Sequence, residues 1–236
     1  MSSASATVGR MQGHLSGRRP LITLMLGLVV VVVGLVGCSG ESADDGPRQL
    51  TSDEAQRFAG FRVKNFRAEA LDFEATIIDG DVTVFAQGTV DSRDHEAVAV
   101  MTPRGATEVS RFLARWTVDS VDAMAYAGDA VPTPLPEEGW ESSELDSSAS
   151  ALAAAQVLVV SLSNDRADNP QLLTQSGARW LRREELGGVE VDVMGGPTEG
   201  DQPSSLRYTI DDDGQLHRLE ARLDGEHWST FNFDVD

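Results

Sequence analysis

Cysteine is almost missing from this chain: Cys38 is the only one in 236 residues, which excludes an intramolecular disulfide and leaves a single thiol to be explained. Basic residues are scarce as well, 19 against 38 acidic ones, for a net charge of −19. A body so acidic is repelled by nucleic-acid phosphates and by anionic headgroups, so nucleic-acid binding is excluded and any membrane attachment needs its own anchor. In the plainest reading the charge serves solubility alone. Catalytic patterns are sparse too. There is no G-x-S-x-G elbow and no thiol beyond Cys38. The four histidines, His14, His95, His217 and His227, form no ligand pair at helical spacing. Asp94 and Glu96 flank His95 on a strand, where neighbouring side chains point to opposite faces and cannot both orient the imidazole. Asp211, Asp213, Gly214 and Glu220 match four positions of a calcium loop, but Thr209 stands where the first carboxylate belongs, so a hairpin turn is expected instead. No catalytic residue, metal or cofactor is expected, and the protein reads as not an enzyme.

What the sequence does have is one long apolar run. Leu21 to Val36 is broken only by Thr23, Gly27 and Gly34, and follows a polar stretch with Arg10, Arg18 and Arg19 and no acid. That is the order of a cleavable export signal over residues 1–37. The run is short beside the roughly 20 apolar residues of a bilayer-spanning helix, although an uncleaved anchor is the alternative. Arg18-Arg19 suggests twin-arginine export, but Pro20 follows and the downstream pattern is missing, so the general secretory route stays open beside it. Leu35-Val36-Gly37-Cys38 resembles the lipobox of bacterial lipoproteins, in which the cysteine is acylated before the signal is cut. That resemblance implies lipidation of Cys38, with palmitate as a suitable label, and a place on the extracytoplasmic face of the cell membrane. Without the leader, 16 basic residues face 38 acidic ones, for a net charge of −22. Ser39 to Leu50 (SGESADDGPRQL) is too polar to order itself, so residues 38–50 read as a flexible tether spanning about 20 Å.

Residues 51–236 remain as one domain, large enough to bury a core without staples. Thr51-Ser52-Asp53-Glu54 is a capping box opening a helix to about Asn65, with Phe58, Phe61 and Phe66 on its apolar side. The period then drops to two, with Leu71, Phe73, Ala75 and Ile77, and then Val82, Val84, Ala86, Gly88 and Val90, on one face of a hairpin turning at Asp79-Gly80-Asp81. Further strands are expected at about 95–101, 108–118 and 121–127, and the prolines of Val131 to Glu138 (VPTPLPEE) end the meander. Ser147 or Ser148 would cap a helix from Ala149 to Leu162, apolar nearly all round and therefore buried. Asn169-Pro170 starts a short helix and Gly177 stops it. Period two returns around Val189, Val191 and Val193, then Leu206, Tyr208 and Ile210, then Leu219, Ala221 and Leu223, then Phe231, Phe233 and Val235. Asp211-Asp212-Asp213-Gly214 and Asp224-Gly225-Glu226 read as turns. The expected class is α+β with one large antiparallel sheet.

The lipobox LVGC, the opening helix before a meander, the helical excursion and the closing LRYTIDDDGQLHRLEARL together resemble the half-barrel envelope lipoproteins of actinobacteria, the LprG and LppX type, similar in architecture to the carriers LolA and LolB. DNPQLLTQSGARWL and VDSRDHEAVAV are similar to a group of actinobacterial lipoproteins without an assigned role. The carrier resemblance implies a curved sheet, or half-barrel, with helices packed on a concave face that holds acyl chains.

Two functions follow. In the first, the protein binds or shuttles a lipid, glycolipid or other amphiphile, with Leu71, Phe73, Ile77, Val82, Val84, Val90, Leu206, Tyr208, Ile210 and Trp140 as candidate lining. A sixteen-carbon chain would gain roughly 12 kcal/mol from burial alone, and small inward residues such as Ala75, Ala86, Gly88, Ala97 and Ala221 would leave it room. In the second, those small residues only admit the alanine-rich helix, the core is filled, and the domain meets another envelope protein. Trp116, Trp140, Trp180 and Trp228 are expected in packing roles. Trp140, in the proline-rich excursion, would mark a rim or lid if exposed.

Overall fold

Thr51 is where helix formation starts. In the computed structural model, which describes residues 46–105, 110–198, 200 and 202–234, the Thr51 hydroxyl accepts from the Glu54 amide at 3.3 Å. The Glu54 carboxylate accepts the Thr51 amide in return at 2.8 Å, completing the capping box that opens α1 (Ser52–Ala68). The export segment, Cys38 and the tether as far as residue 45 lie outside the described residues. The last three tether residues are not coil. Arg48–Gln49 form a short strand, β1, and Leu50 is buried, because Arg48 clamps Glu54 through two 2.7 Å hydrogen bonds and lies over the Trp180 ring.

Alternation then builds a sheet. β2 (Ala70–Asp79) and β3 (Val82–Asp91) pair from Asp79↔Val82 to Ala70↔Asp91 around a two-residue loop. Its first residue, Gly80, has φ +59°, the glycine position of a type II′ turn. β4 (Glu96–Arg104), β5 (Phe112–Trp116) and β6 (Ser120–Ala125) continue the meander. The proline-rich stretch does not end it, because β7 (Glu141–Glu144) returns to pair with β6. α2 (Ala151–Val160) starts later than expected, since Ser150 rather than Ser147 or Ser148 caps it by accepting from the Ala153 amide at 3.1 Å. α3 (Pro170–Gln175) follows its Asn169 cap. The chain then adds β8 (Arg179–Leu186), β9 (Val189–Gly195), β10 (Leu206–Asp211), β11 (Leu216–Ala221) and β12 (Ser229–Phe233). β8 had no signal in the sequence, because a register shift between Trp180 and Arg182 breaks its alternation.

The described strands form one open, wholly antiparallel sheet in the order β1-β8-β9-β10-β11-β12-β2-β3-β4-β5-β6-β7. Two meanders, β8–β12 and β2–β7, are thus joined where β12 pairs with β2. The edge strands are blunted: β1 has two residues, and β7 is ESSE with every residue exposed. One face carries the core, in which Phe73, Ile77, Val84, Met101, Ile210, Leu219 and Phe231 join Phe58 and Phe61 of α1 and Ala155, Val159 and Val160 of α2. No helix among the described residues is long and apolar enough to cross a membrane.

Candidate functional site

The structure brings nine of the ten candidate lining residues together. Leu71, Phe73, Ile77, Val84, Val90, Tyr208 and Ile210 are buried members of one cluster, and Val82 and Leu206 pack against it half-buried. Trp140 stands apart: half-buried, it donates its indole N–H to the Pro136 carbonyl at 2.9 Å and stacks 4.7 Å under the Arg115 guanidinium.

Contacts on that face are close. The Tyr208 ring lies 5.0 Å from Phe58 and 5.3 Å from Phe61, and burial pushes its phenol up to about 12. Phe73 meets Trp116 edge-on at 6.4 Å. α2 is fixed at both ends and at its middle: its Ala151 amide donates to Asp79 at 3.1 Å, Val160 presents its carbonyl to His95 Nδ1 at 2.9 Å, and Gln156 receives the Trp116 indole N–H at 2.9 Å. The inward positions Ala75, Ala86, Ala97, Ala99 and, on β5, Ala114 are all buried, and α2 packs over β2, β3 and β4, which carry the first four. At Gly88 a Cβ would fall 2.0 Å from the Val98 carbonyl oxygen, so β3 and β4 approach there as only glycine permits.

The polar groups are held in small sets of their own. Ser163 Oγ lies 3.3 Å from His95 Nδ1, the spacing of a nucleophile and its base. However, Val160 O can only accept, so His95 Nδ1 carries a proton for it, and Ser163 turns its own proton to the Ser92 carbonyl at 2.6 Å. Neither atom can deprotonate the other in this arrangement. His217 Nε2 sits 3.0 Å from Asp211, and His227 Nδ1 sits 2.7 Å from Asp224. Backbone and side-chain hydrogen bonds from His227 hold the Asp224 carboxyl down at about 2. The calcium-loop match is a hairpin turn: Asp211 accepts the Gln215 amide at 2.8 Å, Gly214 has φ +82°, and Glu220 lies along β11. No cluster of three metal-ligating side chains occurs among the described residues.

One buried ion set went unnoticed in the sequence. Asp192, at 1% exposure, accepts from the Trp180 indole at 2.9 Å, from Arg183 at 3.0 and 3.1 Å and from Arg57 at 2.6 Å. Burial pushes its carboxyl up, but these hydrogen bonds outweigh that and hold it below the usual carboxylate value. Its members come from α1, β8 and β9, so no local pattern could have announced it. Among the described residues, clefts of about 380 to 650 Å³ include one lined in part by Phe73 and one lined in part by Leu206, while Ile77, Val84, Tyr208 and Ile210 line none of these.

No protein-family model matches this chain, and no curated protein does.

Proposed function

We propose that the protein is a lipid-anchored, non-enzymatic envelope protein, held at the extracytoplasmic face of the membrane through acylated Cys38, and that its sheet is a docking module for another envelope protein. One observation carries the reading: the candidate lining side chains Leu71, Ile77, Val84, Val90 and Ile210 are all buried in one cluster with Leu219, Phe231 and Ala155 of the same interior. An interior of that density leaves a ligand no volume without displacing an element. Crosslinking in intact cells is expected to recover the same protein partner repeatedly. Recovering none, while lipid co-purifies with the protein and is identified by mass spectrometry, would overturn the docking reading.

A second reading, binding or shuttling of a lipid or glycolipid, draws on α2. Its one polar side chain, Gln156, is buried, while Leu152, Val157 and Leu158 are only partly covered. Beneath it lies a row of alanines that would become an apolar trough if the helix lifted. In this reading the sheet is the curved half-barrel of the LprG and LppX type, with α1 and α2 on its concave face. Saturable uptake of a fluorescent acyl probe is its expected sign.

A further inference from the structure

On the face of the sheet opposite Tyr208, a cleft of about 650 Å³ opens at the ends of β8, β9 and β10. Its lining includes Pro47, Arg179, Gly195, Arg207, Arg222 and Trp228. Arg179 and Arg207 both pair with Gly195, one from each side, so two guanidinium-bearing positions stand two strand spacings apart, about 10 Å, across a residue with no side chain. Nothing in the backbone requires that glycine. Its φ lies outside the left-handed region, and a Cβ there would meet only the Leu181 side chain at 3.6 to 3.8 Å, an ordinary contact. The missing side chain leaves the floor open.

The third arginine shares a wall with the second. Trp228 lies 3.9 Å from the Arg207 Cζ and 5.0 Å from that of Arg222, which fixes both planes against its ring. Their hydrogen-bonding capacity is largely unspent. Among the described residues Arg207 meets one carboxylate, that of Glu220, in an ion pair at 3.8 Å that is too long for a hydrogen bond. Arg222 makes a 3.4 Å contact with the Ser204 carbonyl, and its buried Nε has no partner among the described residues. Among the described residues Arg179 and Arg222 have no ion-pair partner, as is also true of Arg67, Arg104, Arg166 and Arg218; what sets the two apart is that they line one cleft together with Arg207. In a chain with two acids for every base, three guanidinium groups line one hollow with Glu220, 3.8 Å from Arg207, as their one ion-pair partner among the described residues, which leaves room for an anion from outside.

We propose that this cleft is a binding site for a phosphate ester, gripped by Arg179, Arg207 and Arg222, the last two held in place by Trp228. Guanidinium forks match phosphate oxygens bidentately, and three cations suit a group carrying up to two negative charges better than a single carboxylate. The ester is either an anionic phospholipid headgroup or a soluble metabolite. Pro47 lines the cleft and follows Cys38 by nine residues in the sequence, so headgroups come within reach if the anchor reading holds. The site itself does not depend on that reading or on whether the inner face is filled.

The test is titration of the full chain in a non-ionic detergent, followed by calorimetry and tryptophan fluorescence. The probes are glycerol phosphate and dihexanoyl phosphatidylglycerol, with dihexanoyl phosphatidylcholine and succinate as controls. Saturable binding of a phosphate ester, weakened about ten-fold or more by Arg222→Gln and by Arg207→Gln, is expected. Gly195→Val fills the floor with every charge intact, and should weaken binding as much while leaving the unfolding midpoint in place. Tighter binding of the lipid than of glycerol phosphate identifies a membrane source, and the reverse a soluble one. The proposal is overturned by no saturable binding, by equal binding of succinate, by insensitivity to Gly195→Val, or by binding that emerges only when Glu199→Gln and Asp201→Asn remove the acids flanking Gly200.

Discussion

Asp192 shows how much one carboxylate can hold. Asp192→Asn keeps the shape of the side chain but removes its charge, leaving Arg57 and Arg183 with only the exposed Asp212, at 2.5 and 3.1 Å. Breaking a buried pair from one side costs about 3–5 kcal/mol, and Asp212 places the expected loss near the lower end, about 3 kcal/mol in urea unfolding at neutral pH. The pH dependence has a definite sign. A carboxyl whose folded value is lowered contributes stability above its unfolded value of about 3.9 and loses it as pH falls through the lower folded value. The gap between parent and variant should therefore be constant at neutral pH and shrink below about pH 4; a gap that persists at pH 2 would mean the loss is packing rather than charge. Gly88→Ala tests the sheet in another way, since its Cβ cannot coexist with the Val98 carbonyl oxygen without β3 and β4 moving apart, at an expected cost of about 1–3 kcal/mol. At this scale the sequence disclosed the inward set well, because Leu71, Phe73, Ile77, Val84 and Val90 follow a strict period of two. It could not disclose the arginine cleft, in which Arg179 and Arg207 meet across β9 only through register and Arg222 and Trp228 come from the connection between β11 and β12.

At the scale of elements, α2 decides between a filled and a hollow interior. Ala155 has 0% exposure in the middle of the helix. Ala155→Leu adds three carbons where the sheet lies beneath, and in a filled core it should cost about 1–3 kcal/mol by urea unfolding with an unchanged slope. If the variant is as stable as the parent, space for an acyl chain exists there and the lipid reading gains. Ser150→Ala removes the cap and should cost about 1 kcal/mol independently of that question. The elements legible in advance were those with a local physical signature. Thr51 and Glu54 announced α1, the Asp79-Gly80-Asp81 loop announced the first hairpin, and Asn169-Pro170 announced α3. The others were hidden for reasons that can be named. β1 is two residues long and exists because β8 is beside it, β8 loses its alternation at a bulge, and β7 is a polar edge strand with no face to bury. The cap of α2 was misplaced by two or three residues because Ser147, Ser148 and Ser150 all carry the same capping group, and only the helix's docking onto Asp79 selects among them.

For the molecule as a whole, the proposed anchor has to explain what would keep so acidic a body at a membrane. If residues 1–37 are removed as proposed, 16 basic residues face 38 acidic ones, and such a surface and an anionic bilayer repel each other. Electrostatic adsorption of the whole body is therefore the wrong sign, and among the described residues no helix offers a spanning segment. An acyl graft at Cys38 would act through buried methylenes, about 0.8 kcal/mol each, and more than one chain is needed for stable attachment. That mechanism has a salt signature opposite to adsorption. Washing membranes at high ionic strength should leave the protein in place, because screening removes a repulsion and not an attraction, whereas detergent should release it. Replacing Cys38 with Ser should abolish metabolic labelling with palmitate and make retention depend entirely on whether the apolar run Leu21 to Val36 stays attached. Equal palmitate labelling of parent and Cys38→Ser would sink the anchor reading, and the arginine cleft would then have to find its phosphate ester in solution.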